Sequence, residues 1–136
     1  MSGVVLVSAC LLGLCTRYDG ASKASSRVLK LAKTHVLLPV CPEQLGGLPT
    51  PRPPADLYGG DGFSVLAGEA RVITRNGQDV TEAFLRGAEE VAKLARILGV
   101  RQALLKSRSP SCGLTPQMGV CAAKLSLLGL KLTEID

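Results

Sequence analysis

Val4-Val5-Leu6-Val7 is a continuous apolar run in which three of four residues are β-branched. A run of that length and type reads as a strand buried on both faces, as in parallel sheets. Val36-Leu37-Leu38-Pro39-Val40 is a second such run. Its Pro39 marks a strand end or an edge position, because proline donates no ladder hydrogen bond. Working outward, Val100 to Lys106 makes a third strand and Leu130 to Ile135 a final one. Helical patterns lie between them. Ser22 to Lys33 is a short helix with Ser22, Ser25 and Ser26 as competing N-caps and an apolar side of Val28, Leu29 and Ala32. Asp79-Val80-Thr81-Glu82 has the form of a capping box. Phe84, Ala88, Val91, Ala95 and Leu98 follow at helical spacing, and Gly99 is a natural stop. Gly119 to Leu128 is a further helix, ended by Gly129.

Strands alternating with helices argue for an α/β fold with a mostly parallel sheet. Right-handed crossovers put helices on both faces, so a Rossmann-like three-layer sandwich is expected, as a single domain over residues 1–136. One segment breaks the pattern. Ten of the 22 residues from Pro42 to Phe63 are Pro or Gly, including Gly46-Gly47, Pro53-Pro54 and Gly59-Gly60. That composition predicts a long Pro/Gly-rich loop of the functional kind. Phe63 to Thr74 then alternates as a strand pair would, and Asn76-Gly77 is a turn signal.

Composition narrows the function. The hydrophobic fraction of 46% excludes a disordered chain, and an aromatic fraction of 3% disfavours a base-stacking single-strand binder. No apolar run reaches the 18 or so residues of a membrane span. Met1-Ser2-Gly3 carries no basic lead into the first apolar run, unlike a signal peptide, so a cytoplasmic protein is expected. The net charge of +5 suits either a solvated basic surface or an anionic ligand such as a nucleotide. The cations are scattered, so no stable nucleic-acid complex is expected. The composition carries no signal for oligomeric state.

Five cysteines in such a chain are expected to be reduced thiols rather than a disulfide framework. Three of them, Cys10, Cys41 and Cys112, follow three different strands in Gly- and Pro-rich turns. Ligands in parallel sheets bind beyond the C-terminal ends of the strands, so this trio is expected to converge at a site. Soft thiolates select zinc, Cu(I) or iron–sulfur clusters, and three protein ligands leave a fourth position open. Cys121 falls on a helix among Val120, Ala122 and Leu125 and reads as core filler. Cys15 is a spare ligand at most, and His35 reads as an ordinary strand-edge residue.

Six short motifs occur in order along the chain. They are Ser-Ala-Cys-Leu-Leu-Gly at 8–13, Arg-Tyr-Asp-Gly at 17–20 and Pro-Val-Cys-Pro-Glu at 39–43. Gly46-Gly47-Leu48 with Pro51-Arg52, Asp79-Val80-Thr81 with Phe84, and Lys-Ser-Arg-Ser-Pro-Ser-Cys-Gly at 106–113 complete the set. Together they resemble the bacterial thiouracil desulfidase family, formerly a domain of unknown function. The resemblance implies a 4Fe–4S cluster held by Cys10, Cys41 and Cys112, with one open iron. It also implies non-redox, hydrolytic removal of sulfur from a small thiolated pyrimidine, 2-thiouracil or a 4-thiouridine nucleotide. Such a reaction needs a carboxylate to activate water, and Glu43 is the candidate. Ser109 is the candidate donor to the pyrimidine or a developing charge, with Ser111 as the alternative. Arg17, Lys106 and Arg108 would offset negative charge or meet a phosphate. The chain departs from the family in the five residues Leu114 to Met118, where relatives carry a longer insert. Cys15 also stands one place earlier than a cysteine found in some relatives. A non-catalytic carrier of zinc, iron or sulfide is the alternative reading, and a persulfide-forming sulfur carrier the third.

Overall fold

The apolar runs pair side by side as their composition requires. The computed structural model describes residues 3–136, so Met1 and Ser2, part of the signal-peptide reading, lie outside the described residues. The elements in order are β1 (Val4–Ser8), a 3-10 turn (Ala9–Leu12), α1 (Ser26–Leu31), β2 (Val36–Val40), α2 (Pro42–Leu45), β3 (Ala55–Tyr58), α3 (Gly62–Leu66), β4 (Arg71–Thr74), α4 (Thr81–Leu98), β5 (Gln102–Lys106), α5 (Val120–Leu127) and β6 (Lys131–Ile135). The main sheet runs β2-β1-β5-β6, with every neighbouring pair parallel. β2 lies at its edge, which suits Pro39. β3 and β4 form a separate antiparallel pair.

Side chains of a strand point alternately to opposite faces. Leu6 therefore packs with Phe84, Ala88 and Val91 of α4 and with Val120 and Leu125 of α5. Val5 and Val7 join Val28 and Leu31 of α1 in a second cluster. The result is a single-domain mixed α/β fold with a largely parallel sheet. Ser25 wins the competition to cap α1, its hydroxyl accepting the Val28 N–H at 3.3 Å. At the head of α4, the Asp79 carboxylate accepts the Thr81 N–H at 2.9 Å and its hydroxyl at 2.6 Å. Gly99 ends α4 in the left-handed conformation.

The expected irregular loop from Pro42 to Phe63 is corrected. α2 starts at Pro42, since proline is tolerated in a first helical turn. Ala55-Asp56-Leu57-Tyr58, free of Pro and Gly, forms β3. The strand pair is β3 with β4, and Phe63 lies in α3 between them. Alternation after Phe63 misled because the first strand of the hairpin lies before it.

Two glycines fix where α2 sits. A methyl added at Gly87 of α4 would overlap the Pro42 carbonyl, and one at Gly46 would overlap the Ala83 carbonyl. Backbone thus meets backbone, and α2 is pressed onto α4. Among the described residues no helix is long and apolar enough to cross a membrane.

Candidate active site

A cavity of about 390 Å³ opens where β1, β2 and β5 end. Its lining includes Glu43, Ser109, Ser111, Arg17, Lys106 and Arg108, together with Cys10, Cys41 and Cys112. This is the edge at which parallel sheets present ligands, because each strand hands over to a turn there. The volume falls in the range of small-molecule sites.

One wall is a continuous hydrogen-bonded chain. Glu43 stands in the first turn of α2, and only 13% of its side chain is exposed. Its Oε1 accepts from Arg52 Nε at 2.9 Å, and its Oε2 accepts from the Ser111 hydroxyl at 3.0 Å. The Ser111 and Ser109 hydroxyls lie 3.0 Å apart. Because the Ser111 proton points to Glu43, the Ser109 hydroxyl donates to Ser111. Ser109 Oγ also accepts the N–H groups of Ser111 at 3.2 Å and Cys112 at 3.0 Å. Ser109 therefore shapes the turn as well as facing the cavity, and Ser111 is the serine in direct contact with the carboxylate.

The lining also carries a cationic group, Arg17, Lys106 and Arg108. Lys106 Nζ donates to the Ser107 carbonyl at 3.2 Å and to its hydroxyl at 3.1 Å. Burial lowers its pKa, while the nearby Cys10 thiol opposes that shift. Arg17 lies 5.8 Å from the centre of the Tyr18 ring. Arg108 holds a left-handed backbone at φ 62°, an uncommon conformation for a residue with a Cβ. Ser8 ties this group to the sheet by accepting the Lys106 N–H at 3.0 Å.

All five cysteines are free thiols. Burial pushes the Cys112 thiol up to about 12, and burial raises Cys10 despite Lys106 and Arg17 nearby. Cys121 is buried in the core, and burial holds its pKa well above the ordinary value. Cys15 is exposed. His35 is exposed ahead of β2, within 2.9 Å of the Thr34 hydroxyl.

Residues 5–128 match the 2-thiouracil desulfurase family. The chain belongs to that family. It is 43% identical over 110 residues to the uncharacterized protein YbbK of Bacillus subtilis (strain 168), covering 81% of this chain and 73% of that protein. It also matches the solved structure of a 4Fe–4S-dependent thiouracil desulfidase, TudS. That match is 40% identical with a TM-score of 0.81, covering 96% of this chain and 89% of the other.

Family membership sharpens one disagreement. The expected 4Fe–4S cluster on Cys10, Cys41 and Cys112 is corrected here. Among the described residues, no group of three or more His, Cys, Asp or Glu side chains is gathered to hold a metal ion. Packing explains it. Cys112 belongs to the hydrophobic cluster under α4 and α5, while Cys10 belongs to the one under α1. The Cys41 thiol points to the Thr16 carbonyl at 3.7 Å. The three thiols share a cavity without sharing a centre.

Sequence reasoning gave Arg52 no role beyond its place in a motif. The structure buries it against Glu43, with 5% of its side chain exposed. A usable signal was present in Pro51-Arg52-Pro53-Pro54, where the following proline biases the arginine to an extended backbone and fixes how the strap runs.

Proposed function

We propose that this protein is a desulfidase that removes sulfur from a small thiolated pyrimidine of the thiouracil or thiouridine type. Water supplies the oxygen. The C=S bond becomes C=O, the sulfur leaves as hydrosulfide, and no net electron transfer is needed. Family membership and the 40% identity to a thiouracil desulfidase support the activity. The observation that carries the reading is a carboxylate in the wall of a cavity large enough for a small pyrimidine, held by Arg52 and by two hydroxyls in series.

In this reading Glu43 takes the proton from the attacking water. Ser111 and Ser109 orient that carboxylate, and Ser109 can donate to the ring or to charge developing on it once its hydroxyl proton turns away from Ser111. Lys106, Arg17 and Arg108 set a positive potential where negative charge grows on the departing sulfur. We read the two-sided core as a Rossmann-like three-layer sandwich whose single domain spans 1–136. The partner is the small-molecule substrate, with no stable nucleic-acid complex. Five free thiols fit a reducing cytoplasm.

The test is sulfide release from 2-thiouracil and from 4-thiouridine monophosphate, with protein kept anaerobic because three thiols line the cavity. Release accompanied by the oxo-pyrimidine is expected. No release from either substrate would overturn the assignment.

A further inference from the structure

Among the described residues, Arg52 is the one charged residue buried from solvent. A guanidinium has five N–H donors in a rigid planar fork. Here every one meets an acceptor. Nε donates to Glu43 Oε1 at 2.9 Å. Nη1 donates to the Pro49 carbonyl at 3.2 Å and to the Thr50 hydroxyl at 2.8 Å. Nη2 donates to the Thr16 carbonyl at 2.9 Å and faces Cys41 Sγ at 3.8 Å. The Arg52 backbone N–H also donates to the Tyr18 carbonyl at 2.7 Å.

These acceptors come from the strap leading to β3, from the end of β2 and the start of α2 just before it, and from the turn after β1, 36 residues away in sequence at Thr16. The Glu43–Arg52 pair is also the partition between the main cavity and a smaller one of about 170 Å³ lined by Leu48, Pro53, Val80 and Phe84. On that apolar side, an N–H left without a partner would be costly.

We infer that Arg52 is the positioning residue of the site, acting on the reaction through Glu43. This rests on the hydrolytic reading above. By occupying Oε1, the guanidinium fixes the rotation of the carboxylate, so that Oε2 is held toward Ser111 and the main cavity. Lysine cannot substitute, because its three rotating donors do not reproduce a five-donor planar fork.

The test is a double-mutant cycle. Arg52→Lys should lower kcat by about 10²-fold, the scale of a misplaced catalytic group, with KM unchanged. In a Glu43→Gln background the same substitution should cost almost nothing more, because the group it positions has already lost its function. A purely structural arginine would instead lower both backgrounds equally, and that result overturns the inference. Should Arg52→Lys fail to fold, Thr50→Val removes one acceptor of the fork. It is expected to give a smaller loss of kcat that likewise vanishes with Glu43→Gln. If the unmodified protein releases no sulfide, the hydrolytic reading has failed by itself. The inference is then decided by the ¹³C resonance of the Glu43 carboxyl. A shift in Arg52→Lys supports the positioning role, and an unmoved resonance overturns it.

Discussion

The two walls of the cavity are built on different principles. The Glu43 wall is held by geometry: α2 is pressed backbone-to-backbone onto α4, and the carboxylate is bonded on both oxygens. The part lined by Arg17, Lys106 and Arg108 works by charge, with Arg17 from the turn after β1 and the other two from the end of β5 and the turn that follows it. The difference follows from what each wall has to do. Proton transfer requires a group within hydrogen-bond reach of the reacting atom. Stabilising a departing anion needs only a potential, which falls off gradually with distance.

That contrast can be broken first at Glu43. Glu43→Gln keeps the size but loses the proton acceptor, and its amide can accept from only one of Arg52 and Ser111. Turnover should fall by roughly 10²–10⁴ with thiopyrimidine binding retained, as read by sulfide release against equilibrium binding. Wild-type turnover in this variant would remove Glu43 from the mechanism. Gly87→Ala attacks the same wall from behind. Its methyl must push α2 away, so a loss near 10²-fold in kcat is expected, with about 1–3 kcal/mol of stability, measured by denaturant unfolding. An unchanged kcat would show that the seat of α2 does not matter to chemistry.

The cationic wall should respond more gently. Lys106→Met is expected to weaken turnover by about tenfold, the scale of one partly exposed charge, and to reduce the salt dependence of kcat/KM. A loss as large as that of Glu43→Gln would place Lys106 in contact with the reacting atoms. Thiol labelling sharpens the contrast further. With iodoacetamide at pH 8, Cys15 should react first, while Cys112, held near 12 by burial, and the buried Cys121 should resist. Early labelling of Cys112 would mean that its turn opens readily.

The smallest effect lies away from the cavity. Hydrogen bonds from Thr81, with Arg71 alongside, lower the Asp79 carboxyl from 3.8 to about 2. A pKa depressed on folding contributes stability above the unfolded value, and that contribution is lost as pH falls through the folded value. Asp79→Asn should therefore lower Tm slightly at neutral pH and flatten its decline between pH 4 and 2. A decline identical to that of the unmodified protein would exclude this cap as an acid-sensitive element.

Local physics made much of the fold legible. Val4–Val7 is a strand because a β-branched run of that length suits a sheet interior, and Val36–Val40, an apolar run interrupted by Pro39, pairs beside it at the edge. The 3.6-residue spacing from Phe84 to Leu98 made α4 unmistakable, and Gly99 closed it. Pro42 to Phe63 misled because composition averages over a segment, whereas α2 and β3 each need only four suitable residues between the breakers.

For the site, sequence alone placed Glu43, Ser109, Ser111 and the three cysteines at strand ends, because chain order and parallel topology fix which turns share an edge. It could not decide where their side chains point. Cys10 packs in the cluster with α1 and Cys112 in the cluster with α4 and α5, so a common edge did not become a common metal centre among the described residues. Nor could it pair Arg52 with Glu43 and Thr16, which requires the strap before β3 to fold back over two other turns. Strands and helices follow from neighbours in sequence. The direction of a buried side chain follows from the neighbours it meets in space, and those exist only once the chain has closed on itself.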